Sequence, residues 1–345
     1  MNINMEKENS SVLVYRLSAL GDVAMTVPAV YSVARAYPTV SFTVVTSELA
    51  AGVYVGAPKN VSVVGLQKAD CRGLLGTLRL LRLLWAIDAD AMADLHNVLR
   101  SWMVDAMYRL RGRRVEMLRK SRCERRALLR HRNKVARLFT QRYFDVFERL
   151  GMPASANFKT LFPDSLPPLP AAFPQKGEAK WVGVAPFARY ATKTYPPHLM
   201  LRVVQALAVE PGVRVFLFGA RGTEADVLKQ WEQTTTGVIS VAGTQTLAAE
   251  LALMARLDVM VSMDSANMHL ASLSGTRVVS IWGATSPACG FMGYGQRPAD
   301  AIALSILCSP CSIAGKKQCT RGKALCLSAL QPQTIVRRVT EILNL

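Results

Sequence analysis

Short β-rich apolar runs and helix-periodic runs alternate along this chain, and they do so twice, on either side of a proline-rich stretch. In the first half, residues 12–17, 42–46, 61–65 and 89–95 read as strands, with helices at 23–36 and 74–86. In the second half, strands are expected at 181–185, 213–218, 238–241, 257–261 and 278–281, and helices at 197–209, 224–235, 247–256 and from 264 through 273. Strands that alternate with helices build a parallel sheet with helices on both faces. Between the halves, Pro163, Pro167, Pro168, Pro170 and Pro174 fall in a stretch of little periodicity, which reads as a linker. A length of 345 residues suits two domains of about 150 residues each. The expected layout is a first domain at 11–162, a linker at 163–180, a second domain at 181–331 and a closing helix within 332–345. Pro332 sits in the first turn of that helix, where a missing N–H is harmless. Loops that follow strand C-terminal ends line the working side of such sheets, so ligands are expected in a cleft between the two domains.

Charge narrows the class of partner. The net charge is +18, and most of it sits in residues 109–142, where fourteen Lys and Arg face only Glu116 and Glu124. A block of this density implies an anionic partner: nucleic acid, anionic lipid or a phosphorylated substrate. A solvated basic helix is the plain alternative. The Leu, Val and Phe spacing over 127–150 fits one amphipathic helix stopped by Gly151. No apolar run approaches the roughly 18 residues a membrane span needs, and residues 1–10 are polar with no apolar signal core. The expectation is a cytoplasmic chain. Four of the seven cysteines, Cys308, Cys311, Cys319 and Cys326, crowd into a C-x2-C-x7-C-x6-C pattern. In the cytoplasm such a group argues for metal or reduced thiols over disulfides. A structural Zn²⁺ and four reduced thiols both remain open: one C-x2-C suits tetrahedral zinc, whereas Lys316 and Lys317 intervene and the segment is short.

The stretch Val261-Ser262-Met263-Asp264-Ser265-Ala266-Asn267-Met268-His269-Leu270 leads from a strand into a helix that Asp264 or Ser265 is placed to cap. Such a junction presents backbone N–H groups and a positive dipole end, which suit a phosphate, and His269 lies about one turn in. Taken in isolation, these ten residues are more simply a capped helix with a packed histidine. The first half repeats the arrangement. Its first strand ends in Ser18-Ala19-Leu20-Gly21-Asp22, and its fourth in Asp94-Leu95-His96-Asn97, followed by Arg100. Asp22 is an ordinary helix cap or a carboxylate pointing into the cleft, and Asp94 belongs to a local turn network or to the cleft.

Taken together, these residues resemble a known family. Arg16-Leu17-Ser18-Ala19-Leu20-Gly21-Asp22-Val23 with Pro28 looks like the opening of glycosyltransferase family 9, the lipopolysaccharide heptosyltransferases. Asp264 to Leu270 is similar to the donor-binding motif of that family. Asp94-Leu95-His96 with Arg100-Ser101, and Ala185-Pro186-Phe187-Ala188 leading to Lys193 and Pro196, fall in the family's order, and the likeness spans residues 11–343. The resemblance implies an α/β chain of GT-B fold, two Rossmann-like domains with parallel sheets facing across a cleft. It implies inverting, metal-independent transfer from a nucleotide-diphosphate sugar, ADP-heptose in the best-known members. Asp22 matches the family's base, and Arg16, Ser18, Asp94, His96 and Arg100 fall on the acceptor side. Lys193 and the run Asp264, Ser265, Ala266, Asn267 and His269 match its diphosphate contacts. Gln245 matches a position near the nucleotide, and Glu224 a ribose-binding acid. Ala266 departs from the usual glycine and adds a methyl where the ligand approaches. Arg189 and Thr192 receive no role.

The chemistry is consistent with these residue types. One carboxylate, Asp22, can take the acceptor hydroxyl's proton. A nucleotide diphosphate needs no acid to leave, in contrast to the leaving group of a glycosidase. Lys193, the N–H groups after Asp264 and His269 can stabilise the departing charge in place of a metal. Asp88-Ala89-Asp90 has metal-binding spacing but precedes a strand, at the wrong edge. The expectation is therefore a monomeric heptosyltransferase that needs no cofactor, peripheral on the inner membrane, using a nucleotide-sugar donor and an anionic lipopolysaccharide or lipid acceptor, and not nucleic acid. The rival readings are a GT-B enzyme using another nucleotide sugar (a UDP-hexosamine epimerase or transferase), a basic nucleic-acid-binding protein, and a binding-only homologue.

Overall fold

The computed structural model describes residues 10–67, 69–130, 135–171, 173–322 and 324–345. The chain forms two compact units: one of residues up to Ser121 plus Leu138–Leu161, the other of Arg122–Arg137 plus Phe162–Leu345.

In the first unit, β1 (Ser11–Tyr15), β2 (Ser41–Ser47), β3 (Val61–Leu66), β4 (Ala91–Asp94) and β5 (Arg114–Met117) pair in the order β3-β2-β1-β4-β5, all parallel. The central strand β1 is covered on both faces, which is why it reads as an unbroken apolar run rather than an alternating one. Leu13, Tyr15, Val45, Met92 and Tyr108 are fully buried in one of the cores beside this sheet. The register pairs Tyr15 with Val45 and with Asp94. Arg16 and Leu95 are consequently the first residues past neighbouring strand ends. Asp88 and Asp90 lie at the opposite edge, as expected: Asp90 accepts from the Ser11 N–H at 2.9 Å, where β1 begins.

In the second unit, β6 (Lys180–Ala185), β7 (Val213–Leu217), β8 (Val238–Ser240), β9 (Val259–Met263), β10 (Val278–Trp282) and β11 (Ala301–Ala303) form a second parallel sheet in the order β11-β10-β9-β6-β7-β8. Val182, Leu217, Val261 and Ile281 are fully buried, and the helix Pro332–Leu343 packs Ile335, Val339 and Leu343 onto the same core. Gly183 lets Met260 and Leu257 pack against the strand: a Cβ would fall 2.4 Å from the Met260 sulfur and 2.5 Å from Leu257 Cδ1, so both side chains would have to move.

Several expectations change. The helix expected over 23–36 is two helices, Leu20–Ala24 and Val27–Ala36, because Pro28 belongs to a first turn and the second helix starts just before it. The strands β5 and β11 have only four and three residues, too short to show a period. The helix Leu99–Leu110 carries too mixed a composition to stand out.

The single amphipathic helix expected over 127–150 is instead Arg122–Arg130 and Phe139–Arg149, with 135–138 non-helical; 131–134 lie outside the described residues. The two helices serve different cores. Leu128 and Ala136 bury with Cys289 in the second unit, while Tyr143, Val146 and Phe147 are fully buried in the first. The expected boundaries shift accordingly: the first unit is interrupted at 122–137, and the proline-rich stretch packs with the second unit. There Lys176 pairs with Asp258 at 3.0 Å and Phe173 is buried.

Nor does the basic block present all its charge. Arg113 pairs with Asp88 at 2.9 Å and Asp90 at 3.0 Å, Lys120 donates to the Asn97 carbonyl at 2.7 Å, and Arg142 is buried against Arg119 and Ser121. Arg109, Arg119, Arg130 and Arg137 are exposed. Among the described residues, no helix is long and apolar enough to cross a membrane.

Candidate active site

At the C-terminal end of β1, Arg16 turns back into the fold. Its guanidinium donates to the Leu95 carbonyl, pairs with Asp22 Oδ2 at 2.9 Å and lies 5.6 Å from the Tyr143 ring. Burial pulls its pKa down, but Tyr143 and Asp22 outweigh that and hold it above the usual arginine value. Asp22 Oδ2 also accepts from the Ala19 N–H at 3.3 Å, so the carboxylate caps its short helix as well as meeting Arg16. The Asp22 side chain remains one-third exposed, against 7% for Arg16. Ser18 is exposed beside it.

Asp94, at the end of β4, is buried and committed to local structure. It accepts from the His96 and Asn97 N–H groups at 2.8 and 2.9 Å and from Ser101 Oγ at 2.6 Å. Its role is to hold the loop that presents His96. Burial, followed by the charges of Arg16 and Lys120, lowers the His96 pKa to about 4, with half-buried Arg100 contributing. At neutral pH the imidazole is uncharged. Its Nδ1 and the Arg16 Nε are buried with no hydrogen-bond partner among the described residues. One turn further along the helix, Asp105 is fully buried, and burial together with the Asp94 carboxylate raises its pKa well above the usual range.

In the second unit, β9 delivers Asp264 to a buried position. Asp264 Oδ2 pairs with Lys193 Nζ at 2.8 Å and accepts from Thr285 Oγ1 at 2.7 Å. Lys193 is thus paired with Asp264, and of the two residues expected to cap the helix Asp264 is not the cap. Ser265 takes the N-cap position of the helix Ala266–Leu273, and its side chain makes no capping bond; its Oγ lies 3.3 Å from Ser262 Oγ. The first-turn N–H groups at Ala266 and Asn267 therefore have no side-chain cap, on half-buried residues, while His269 is buried one turn in. Glu224 is spent locally, accepting from the Ala220 N–H at 2.8 Å. Gln245 is half-buried and reaches Thr244 Oγ1 at 3.4 Å.

Sequence reasoning missed Thr285 and Tyr143, which carry no motif and are recognised only by what they touch. It also missed Glu250, whose carboxyl burial pushes up to about 7. A charged residue in the first turn of a mostly apolar helix was the available signal.

The four clustered cysteines converge. Cys308, Cys311, Cys319 and Cys326 line one cavity of about 20 Å³ with Thr192, Ala284, Arg321, Ala324 and Leu325. Burial, and then the other three thiols, push the Cys326 pKa up to about 11. Among the described residues, no group of three or more His, Cys, Asp or Glu side chains is placed so that it could hold a metal ion.

Two Rossmann-like units with parallel sheets, each presenting an acid–cation pair beyond strand C-terminal ends, have the fold of the GT-B class. The sequence pattern of glycosyltransferase family 9 (heptosyltransferase) matches residues 77–324. That is well over half of the chain, which belongs to this family. Among solved structures it is similar to a family 9 glycosyl transferase from Veillonella parvula, with 19% identity, 99% of each chain covered and a TM-score of 0.73. It is also similar to E. coli ADP-heptose lipopolysaccharide heptosyltransferase II, with 18% identity, 97% of this chain and 98% of that one covered and a TM-score of 0.66. The E. coli heptosyltransferase WaaC with ADP shows 17% identity, 96% and 99% coverage and a TM-score of 0.66. No curated protein matches the chain by sequence.

Proposed function

We propose that this glycosyltransferase moves a heptose from ADP-heptose to a lipopolysaccharide inner-core acceptor, with inversion at the anomeric carbon and without a metal at the reacting centre. The observation that carries the reading is the placement of Asp22. It is a one-third exposed carboxylate in the short helix just past β1, paired with a buried arginine at 2.9 Å. In the proposed reaction the acceptor oxygen attacks the anomeric carbon and the carbon–phosphate-oxygen bond breaks. ADP departs with the bonding electrons, and Asp22 takes the hydroxyl proton. Lys193 and the uncapped N–H groups at Ala266 and Asn267 receive the diphosphate. Asp264 and Thr285 hold the lysine in position. ADP is favoured as the nucleotide because the similar E. coli structures are an ADP-heptose enzyme and an ADP complex. Gln245 and Glu224 would face the nucleoside, and Arg16, Ser18, His96 and Arg100 the acceptor, with Asp94 shaping that loop.

Exposed arginines of the basic block, such as Arg109 and Arg119, suit an anionic acceptor at a membrane surface in the cytoplasm. Each contributes on the order of 1 kcal/mol there. Binding to anionic vesicles should weaken steeply with salt, and salt-insensitive binding would refute this part.

A thermal-shift panel of ADP-, GDP- and UDP-sugars tests the donor, followed by mass-spectrometric detection of product on a heptose-deficient core acceptor. Stabilisation by ADP-sugars alone is expected. Stabilisation by UDP- or GDP-sugars instead would replace the donor.

A further inference from the structure

The loop that bears the four clustered thiols is stitched to the segments that carry both partners of Asp264. Thr192, next to Lys193, donates from Oγ1 to the Gly315 carbonyl at 2.6 Å. Gly315 has φ +75 and lies directly on the lysine stem, where a Cβ would fall 2.4 Å from Lys193 Cδ. Ala284, next to Thr285, accepts from the Cys311 and Ser312 N–H groups at 3.0 Å each, and its own N–H donates to the Thr192 carbonyl at 3.1 Å. Ser309 Oγ adds a bond to the Gly283 carbonyl at 2.7 Å. Thr192 and Ala284 also line the cavity that the four cysteines share.

That cavity has room for a single water-sized occupant. Its wall holds four sulfur atoms and few other polar groups, which makes it a poor water site and a good one for a soft cation. Two of the thiols come from a C-x2-C turn, the spacing that lets neighbouring residues ligate one tetrahedral ion. The four thiols line the space but are not placed to hold an ion together, so ligation requires their loop to move inward. Cys308, Cys311 and Cys319 lie in a loop that has Gly315 and Gly322 at positive φ and can make that adjustment. Four thiolates around a divalent ion leave a net charge of −2, and Arg321 is already in the wall to offset it.

We propose that Cys308, Cys311, Cys319 and Cys326 bind one thiophilic divalent cation, zinc or ferrous iron, and that the ion clamps their loop against Thr192 and Ala284, fixing Lys193 and Thr285 around Asp264. No redox step is involved: each thiol that ligates loses its proton to solvent as its sulfur–metal bond forms. The ion is a positioning device and does not touch the donor. The proposal stands on the cavity and the loop, independently of which sugar is transferred.

The test uses the full chain purified without chelator. Elemental analysis should find one zinc or iron per chain, and the element found identifies the ion. Cobalt(II) loaded into the stripped protein should show thiolate charge-transfer and tetrahedral ligand-field absorption. Cys319→Ser and Cys326→Ser should lose the ion, whereas Cys123→Ser should retain it. Reversible stripping of the wild-type chain covers the case in which the serine variants fail to fold. Removing the ion should speed hydrogen exchange at Lys193 and Thr194 and acylation of the Lys193 amine, and restoring it should reverse both. Metal far below one ion per chain, no cobalt spectrum and four readily alkylated thiols would overturn the site, as would a disulfide among them. A bound ion whose removal leaves Lys193 and Thr194 unchanged would overturn the clamp.

Discussion

The two acid–cation pairs look alike and are built in opposite senses. In the first unit the arginine is buried, 7% exposed, and its acid partner Asp22 is 33% exposed. In the second the acid is buried, Asp264 at 6%, and its cation Lys193 is the more accessible partner at 15%. In each pair the inner member fixes the outer one, and the outer member can meet a ligand. An outward carboxylate suits taking a proton, and an outward ammonium suits holding a phosphate. The direction of burial therefore distinguishes the two proposed roles, which the bare presence of an Asp and a cation in each unit does not.

The strongest challenge to this contrast is Asp22→Asn. It keeps the shape but removes both the base and the counter-charge of buried Arg16, so turnover should fall by roughly 10²–10⁴-fold while the melting temperature drops without loss of the fold. Near-wild-type transfer by this variant would dissolve the distinction.

A third ion cluster, beside the N-terminal starts of β10 and β11 and away from the strand C-terminal ends, offers a control. Asp300, fully buried just before β11, is held by Arg277 at 2.7 Å and Arg338 at 2.6 Å. Burial pushes its pKa up, but the two arginines outweigh that and leave it lowered. Asp300→Ala should lower stability, because it removes a buried carboxylate that accepts four bonds from two arginines, and should leave donor affinity unchanged. That stabilisation is present above the pKa of a free aspartate and is lost as pH falls through the lowered folded value. Calorimetric melting across acid pH reads both effects.

Next in size, Lys193→Ala should weaken donor binding about 10- to 100-fold, the worth of one charge-assisted hydrogen bond. Titration calorimetry that finds unchanged affinity would show that Lys193 serves Asp264 alone.

The smallest effect is Asp105→Asn. Because the folded pKa of Asp105 is raised, its contribution to stability is intact below the unfolded value and is lost as pH rises. The amide should therefore stabilise the protein at neutral pH by about 1 kcal/mol, an advantage that disappears near pH 4. Denaturant melts at the two pH values would show equal differences if Asp105 titrated normally.

Much of the scaffold was legible because hydrophobic period is local. A central strand such as β9 needs only its own apolar run to be recognised, and the helix Pro332–Leu343 needs only its stripe and its first-turn proline. The site was legible in part, since Asp22, Lys193 and Asp264 sit in recognisable motifs. Their partners were not. Thr285 matters because β10 lies beside β9 and brings the residues after it to Asp264. Tyr143 matters because the helix Phe139–Arg149 brings its ring to Arg16.

Sequence alone settled the two-unit α/β architecture, the positions of the candidate site residues just past strand ends and the stop at Gly151, because each depends on the order of neighbouring residues. Only the tertiary structure decided that residues 122–137 join the second unit, which member of each ion pair is buried and that four cysteines surround one space. Those outcomes depend on side chains distant in the chain competing for the same volume and the same charge, and no local pattern encodes which of them prevails.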